Sequence, residues 1–175
     1  MTILRILDYP DPRLKKVAKP VTDFNDENVQ RDLDDLLETM NNTKHCGGLA
    51  ATQVDIKDPY RMFVFFDSDD SKSKPAYIIN PEIVEMVGEV DEEEGCMSVY
   101  PQYVHANVKR PEKTTIKGFD RKGKPVEMTR DGYVAKLFVH EVDHLNGKIY
   151  IDHLSSLKRK LIDKKITKVR RLLDK

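Results

Sequence analysis

Residues 140–144 read His140-Glu141-Val142-Asp143-His144. On a helix, positions four apart stand one above the other on the same face. Two imidazoles so placed can share one metal ion, and Glu141 between them can reach a water beside it. This is the HExxH arrangement of metal-dependent hydrolases. A polar surface helix carrying two histidines by chance would look different. Here the flanking Leu137, Phe138, Val139, Val142 and Leu145 mark a buried helix, where imidazoles without partners would be costly.

The reaction depends on the third ligand. Proteases of the HExxH kind commonly take a Glu from a later helix, yet no Glu follows Glu141 in this chain. The longer HExxHxxGxxH form is matched as far as Gly147 and fails at Tyr150, where its third His belongs. The remaining donors are His45, Cys46, Cys96, His105 and His153. Cys96 has the most distinctive setting, Glu93-Glu94-Gly95-Cys96-Met97-Ser98, but spacing alone leaves the choice open.

Three segments, taken together and in order, carry a resemblance. Gly48-Leu49-Ala50-Ala51-Thr52-Gln53, Glu94-Gly95-Cys96-Met97-Ser98 and the HExxH with its extension to Asn146-Gly147 resemble the signature motifs of peptide deformylases. The likeness runs over nearly the whole chain. Its opening Tyr9-Pro10-Asp11-Pro12-Arg13-Leu14 and its basic C-terminal helix are similar to the bacterial form. The resemblance implies Cys96, His140 and His144 as ligands to one divalent metal, with Glu141 as acid/base. It implies Gln53 and the backbone N–H of Met97 as donors to the oxygen that becomes negative, and such a donor is worth roughly 3–4 kcal/mol in other oxyanion holes. The implied substrate is the N-formyl group on the initiator methionine of a nascent chain, released as formate. Fe(II) is the metal expected from the resemblance, with Zn(II), Ni(II) or Co(II) possible in its place; a soft thiolate ligand suits zinc and iron alike.

Substrate-binding expectations fall on Gly48, Glu94, Arg110, Tyr133, Lys136 and Leu137. Tyr133, Lys136 and Leu137 lie seven, four and three residues before His140, so they share its face and should line the pocket beside the metal. Lys136 is out of character among positions that are mostly small or apolar in the family. It either snorkels out along its stem or alters the accepted side chain. Glu94 braces the loop that presents Cys96 or is solvated like its acidic neighbours. Arg110 makes a salt bridge or holds the substrate backbone. Asp143 orients an imidazole or faces solvent. His45, His105 and His153 are surface or capping residues, and Cys46 a core-facing thiol. Further departures are Cys46 and Gly47, where the family has Gly and a larger apolar residue, and Val139, where Gln is usual. Tyr100 also comes before the expected Pro, and the segment to Arg110 is about two residues longer.

The elements that must position these residues follow from periodicity. Val29, Leu33, Leu36, Leu37 and Met40 form one stripe of a helix from about Asp26 to Met40, capped by Asn25 or Asp26. A glycine loop follows at residues 44–48. Strands are expected at Arg61–Phe66, Tyr77–Asn80, Glu82–Val87, Tyr103–Val108, Thr114–Phe119 and Pro125–Thr129. Asp120-Arg121-Lys122-Gly123 makes a hairpin turn before the last of these. The metal-binding helix spans about Gly132–Asn146. A third helix starts near Ser155 or Ser156 and packs through Leu157, Leu161, Ile166, Val169 and Leu172. Ser68–Lys74 reads as a mobile surface loop. The architecture is α+β, with mostly antiparallel sheets around a central metal-binding helix and a C-terminal amphipathic helix.

At 175 residues, 34% charged and 39% hydrophobic with zero formal net charge, the chain reads as one ordinary globular domain over residues 1–175. Its start is too short an apolar run for a signal peptide, and no run approaches a membrane span. Two cysteines, one in a ligand-like context, favour a reducing compartment, so the cytoplasm is expected. Charge is uneven along the chain: Glu82–Glu94 holds seven acids and no base, and Ser155–Lys175 nine bases and two acids. The acidic run is a solvated face. The basic tail is a candidate contact for ribosomal phosphates, with no specific DNA partner implied. Two other readings remain: a paralogue of the same fold acting on a different N-formyl or amide substrate, and a non-catalytic ribosome- or RNA-binding protein. Activity on formyl-Met peptides against other formylated compounds separates the first. The intact ligand set weighs against the second.

Overall fold

The computed structural model describes residues 1–68 and 73–173; residues 69–72 of the expected surface loop lie outside this range. Its elements are α1 (Glu27–Asn42), β1 (Gly48–Ala50), β2 (Met62–Phe66), β3 (Pro75–Val87), β4 (Val90–Glu94) and β5 (Ala106–Arg110). Then come β6 (Lys113–Phe119), β7 (Pro125–Asp131), α2 (Gly132–Leu145) and α3 (Ser156–Leu173), with short 3-10 turns at Pro12–Lys15, Ala51–Gln53 and Tyr150–His153. Five strands form one antiparallel sheet in the order β1-β2-β3-β6-β7, and β4 pairs with β5 in a separate ribbon. The expected α+β architecture, with a helix carrying the metal motif at its centre, is what the structure has.

The two-residue period of a strand explains the layering. In β2, Phe63 and Phe65 pack toward α2, with Ala50, Ile78, Ile116, Leu137 and Phe138. The alternate Met62 and Val64 pack toward α1, with Val29, Leu33, Leu36, Met40, Leu49 and Ile79. One sheet region therefore lies between two helices, and β2 reads as a continuous apolar run because both its faces are buried. Phe138 locks α2 onto the sheet edge-on to Phe65, ring centroids 5.1 Å apart. A third core, of Cys96, Val99, Val104, Val108, Ile149, Tyr150, Ile151 and Ile166, lies beneath the β4–β5 ribbon and α3.

Local chemistry sets the boundaries. Asp26 caps α1 by accepting from the Asn28 N–H at 2.8 Å. Asp120 Oδ1 accepts from the N–H groups of Lys122 and Lys124 at 2.8 and 2.9 Å, closing the hairpin before β7. Gly147 ends α2 at φ +72°, and a Cβ there would stand 2.5 Å from the Lys15 carbonyl oxygen, so glycine is required.

Four expectations on elements are corrected. Tyr77–Asn80 and Glu82–Val87 belong to one strand, with a register shift between Ile79 and Glu82 where Asn80 takes φ +50° ahead of Pro81. The glycine loop leads directly into β1 at Gly48, paired with β2. Residues 100–104 form turns, so the strand after them starts at Ala106. The packed stripe of α3 is Ile162, Ile166 and Val169, whereas Leu157, Leu161 and Leu172 are exposed.

Candidate metal centre

Helix α2 brings His140 and His144 together as its pitch demands, with Nε2 atoms 3.1 Å apart. The turn after β4 adds Cys96, whose Sγ lies 3.2 Å from His144 Nε2. The ligand atoms of these three residues all lie within 4.8 Å of one another, and all three residues are buried. A tetrahedral ion with bonds of about 2.0 Å to nitrogen and about 2.3 Å to sulfur separates its donors by roughly 3.3–3.5 Å. The convergence of two imidazoles and a thiol fits such an ion. Three ligands leave one position open, the layout of a catalytic rather than a structural site.

The charges around the triad favour a cation. Burial opposes protonation of His140, yet its contacts with Cys96 and Glu94 raise its pKa well above the usual value. Burial, then His140 itself, lower that of His144. Glu94 Oε1 holds His140 Nδ1 at 2.5 Å, fixing the ring so that Nε2 faces Cys96 and His144. Glu94 also accepts from Arg110 Nε and Nη2 at 2.7 and 2.8 Å. Against the cost of burial, Arg110 and His140 hold its carboxyl well below the ordinary carboxylate range. Arg110 Nη1 donates to Asp143 at 2.8 Å, and Asp143 in turn meets His153 Nε2 at 2.7 Å. Glu94 is therefore not solvated like its neighbours: its side chain contacts His140 and Arg110 rather than the loop that presents Cys96, and the guanidinium of Arg110 is engaged by carboxylates on both sides.

Glu141 is 1% exposed, and its Oε2 has no hydrogen-bond partner among the described residues. Burial pushes its carboxyl up to about 7. A Cβ on Gly48 would stand 2.8 Å from Glu141 Oε1 and 2.9 Å from Leu137 Cδ1, so the glycine makes room for both. Gln53 sits in the 3-10 turn after β1, its Oε1 held by the Ala50 N–H at 2.8 Å. That bond fixes the amide orientation and turns Nε2 toward Cys96 Sγ at 3.5 Å and Ser98 Oγ at 3.3 Å. Thr52 donates to the His144 carbonyl at 2.8 Å, tying this turn to the end of α2.

A cleft of about 330 Å³ opens onto Cys96 and His140, lined also by Gly48, Gln53, Glu94, Met97, Arg110, Tyr133, Lys136, Leu137 and Glu141. His45 and His105 are exposed side chains that also reach its wall, and His153 stands apart from it. Cys46 is buried, donates to the Gly48 carbonyl at 3.2 Å and is pushed up to about 12 by burial, the behaviour of an inert thiol.

Sequence reasoning missed Glu92, which bonds Lys136 across the cleft, and Ser98 beside Gln53. The first had a signal. Residues two apart on a strand are about 6.6 Å apart, and four residues of helix rise about 6 Å. Glu92 and Glu94 therefore match Lys136 and His140, but a run of uniform charge hides the alternation.

A family model described as Polypeptide deformylase matches residues 3–160. The chain is 45% identical over 172 residues to a peptide deformylase of Stutzerimonas stutzeri, covering 98% of each sequence. It is 46% identical to peptide deformylase 1 of Coxiella burnetii over 169 residues, covering 97% of this chain and 98% of that one. The crystal structure of a peptide deformylase from Legionella pneumophila superposes with a TM-score of 0.87 at 43% identity, covering 99% of both chains.

Proposed function

This chain belongs to the peptide deformylase family, and from that premise we propose that it removes the N-formyl group from the initiator methionine of nascent peptides, releasing formate. The buried Cys96, His140 and His144 triad, with Glu141 set between its two histidines, carries the reading. Cys96, His140 and His144 would hold one divalent metal, for which we propose Fe(II), and when bound it would supply Lewis acidity toward the formyl carbonyl and toward water.

The protein's own residues do the rest. Glu141 takes a proton from the attacking water and delivers one to the departing amine nitrogen as the C–N bond breaks. Gln53, its carbonyl end pinned on Ala50, directs its amide N–H groups toward the oxygen that becomes negative, and the Met97 N–H beside Cys96 is the second donor. Glu94 and Arg110 keep the His140 ring in place. Gly48, Tyr133, Lys136 and Leu137 form the wall that meets the first side chain.

No helix of the described residues is long and apolar enough to cross a membrane. Lys164, Lys165, Lys168 and Arg171 are exposed on α3, which supports a contact with ribosomal phosphates and, with it, work in the cytoplasm. Anaerobic purification with metal analysis, paired with formate release from formyl-Met peptides, tests the reading. The expected result is one iron per chain, activity lost in air, and protection by nickel or cobalt. Full activity on zinc with iron absent would overturn the assignment of iron. Formate from other formylated compounds but none from formyl-Met peptides would overturn the substrate.

A further inference from the structure

We propose that a second copy of this chain docks the acidic tip of its β3 into a basic, apolar groove beside α3, and that two copies pair by making this contact twice. The groove holds about 420 Å³ between α3 and the β4–β5 ribbon. Ala106, Leu154, Leu161 and Ile162 give it an apolar surface, and Lys158 and Lys165 are the exposed cations among its lining. Leu161 keeps 58% of its surface in water although Ile162 beside it packs on the core. An apolar surface with two cations fits an apolar side chain flanked by carboxylates.

This chain carries such a segment. β2 pairs with β3 only from Pro75 to Ile79, so beyond Asn80 that edge of β3 has no strand beside it among the described residues. A register shift between Ile83 and Glu85 takes Val84 out of the ladder with β6. Val84, Met86 and Val87 are 52%, 56% and 48% exposed, interleaved with the exposed Glu82, Glu85 and Glu89.

Charge singles out the occupant. Glu82 and Glu89 are paired at the surface with Lys117 and Lys109. By contrast Glu85 on the tip, and Lys158 and Lys165 on the groove, enter no ion pair among the described residues. Unpaired charges of opposite sign therefore accompany exposed apolar side chains on the two patches. Phosphates would satisfy the lysines and leave Leu161 in water, whereas the β3 tip satisfies both. With zero formal net charge, copies do not repel one another. The patches also adjoin, because Asp91, three residues past Gly88 at the end of the tip, lines the groove. Adjoining complementary patches make a surface that a two-fold axis matches to itself, tip to groove and groove to tip.

Sedimentation velocity on the zinc-loaded chain, from micromolar to sub-millimolar concentration, tests this. A reversible dimer is expected in about 0.1 M salt and should weaken about tenfold or more in about 1 M, where the screening length falls from about 10 Å to about 3 Å. Met86→Asp puts a charge on the apolar contact and should weaken the dimer by at least about tenfold. Glu85→Lys should weaken it as well, as should Lys158→Glu with Lys165→Glu, and combining all three should restore it. None of these side chains lines the metal centre or its cleft. Each variant should therefore unfold at the wild-type urea midpoint and, when dilute, release formate at the wild-type rate. A chain that stays monomeric at the highest concentration in low salt overturns the inference. So does a dimer that Met86→Asp and the charge reversals leave unchanged, or a combined variant that stays monomeric.

Discussion

Replacing Arg110 by Met should unsettle the fold and the metal site together. The guanidinium is 3% exposed and makes three bonds of 2.7–2.8 Å to two carboxylates, Glu94 and Asp143, whose side chains are 14% and 15% exposed. Counted singly, charge-assisted bonds are worth about 1.5–3 kcal/mol each, but that sum ignores the desolvation which all three groups bear. The better guide is removal of one partner from a buried pair, which costs about 3–5 kcal/mol because the other charge is left without compensation. Two carboxylates would then face each other, and Glu94 would lose the cation that holds it in register with His140. For a chain of this size, about 3–5 kcal/mol lowers Tm by roughly 6–20 °C. Loss of a group that orients a ligand lowers metal affinity by about 10–100-fold. Urea unfolding gives the first quantity and a competitive chelator titration the second. Lys117→Met, which breaks an exposed pair with Glu82, supplies the comparison and should barely move the midpoint. If Arg110→Met shifts stability no more than Lys117→Met and binds metal as tightly as wild type, the reasoning is refuted.

The remaining predictions separate ligand, proton carrier, donor and tail. Cys96→Ala or His144→Ala should lose metal and activity together, whereas Glu141→Gln should retain the metal and lose turnover by about 10²–10⁴-fold; an active Glu141→Gln enzyme removes the assigned role. Gln53→Leu should lower kcat by about 10²–10³-fold with KM little changed, and a change confined to KM would count against an oxyanion donor. Ile166 and Val169 are buried, so the tail is tested by charge reversal at Lys164, Lys168 and Arg171 rather than by truncation. Reversal should spare small-peptide hydrolysis and weaken a salt-sensitive association with ribosomes; salt-insensitive association rejects phosphate contacts.

What could be read from the sequence followed how local each relation is. His140, Glu141 and His144 share a single helix, so spacing alone placed them on one face. Cys96 lies on a different element, and the residues by themselves left five candidate donors; the resemblance in motif order chose between them. The α3 stripe was met at Ile166 and Val169 and missed at Leu157, Leu161 and Leu172, for a physical reason. Leu157 and Leu161 belong to one apolar row, and Ile162, Ile166 and Val169 to another about one residue around the helix. A helix that carries two apolar rows among basic residues does not reveal which one the protein covers.

The acidic run before Cys96 was the least legible part, because seven like charges look uniformly solvated. Strand β4 breaks that uniformity by turning Glu94 inward to His140 while Glu92 meets Lys136 at the surface. The same two-residue step that separates the glutamates therefore separates two tasks, holding a ligand and bounding the cleft. Both tasks depend on β4 keeping its register with α2. Arg110, at the end of the neighbouring strand, joins the two elements through Glu94 and Asp143. The buried ion pairs beside the Cys96, His140 and His144 triad thus do more than orient one imidazole: they tie β4 to α2, so metal affinity and the docking of β4 on the helix should respond to the same residue.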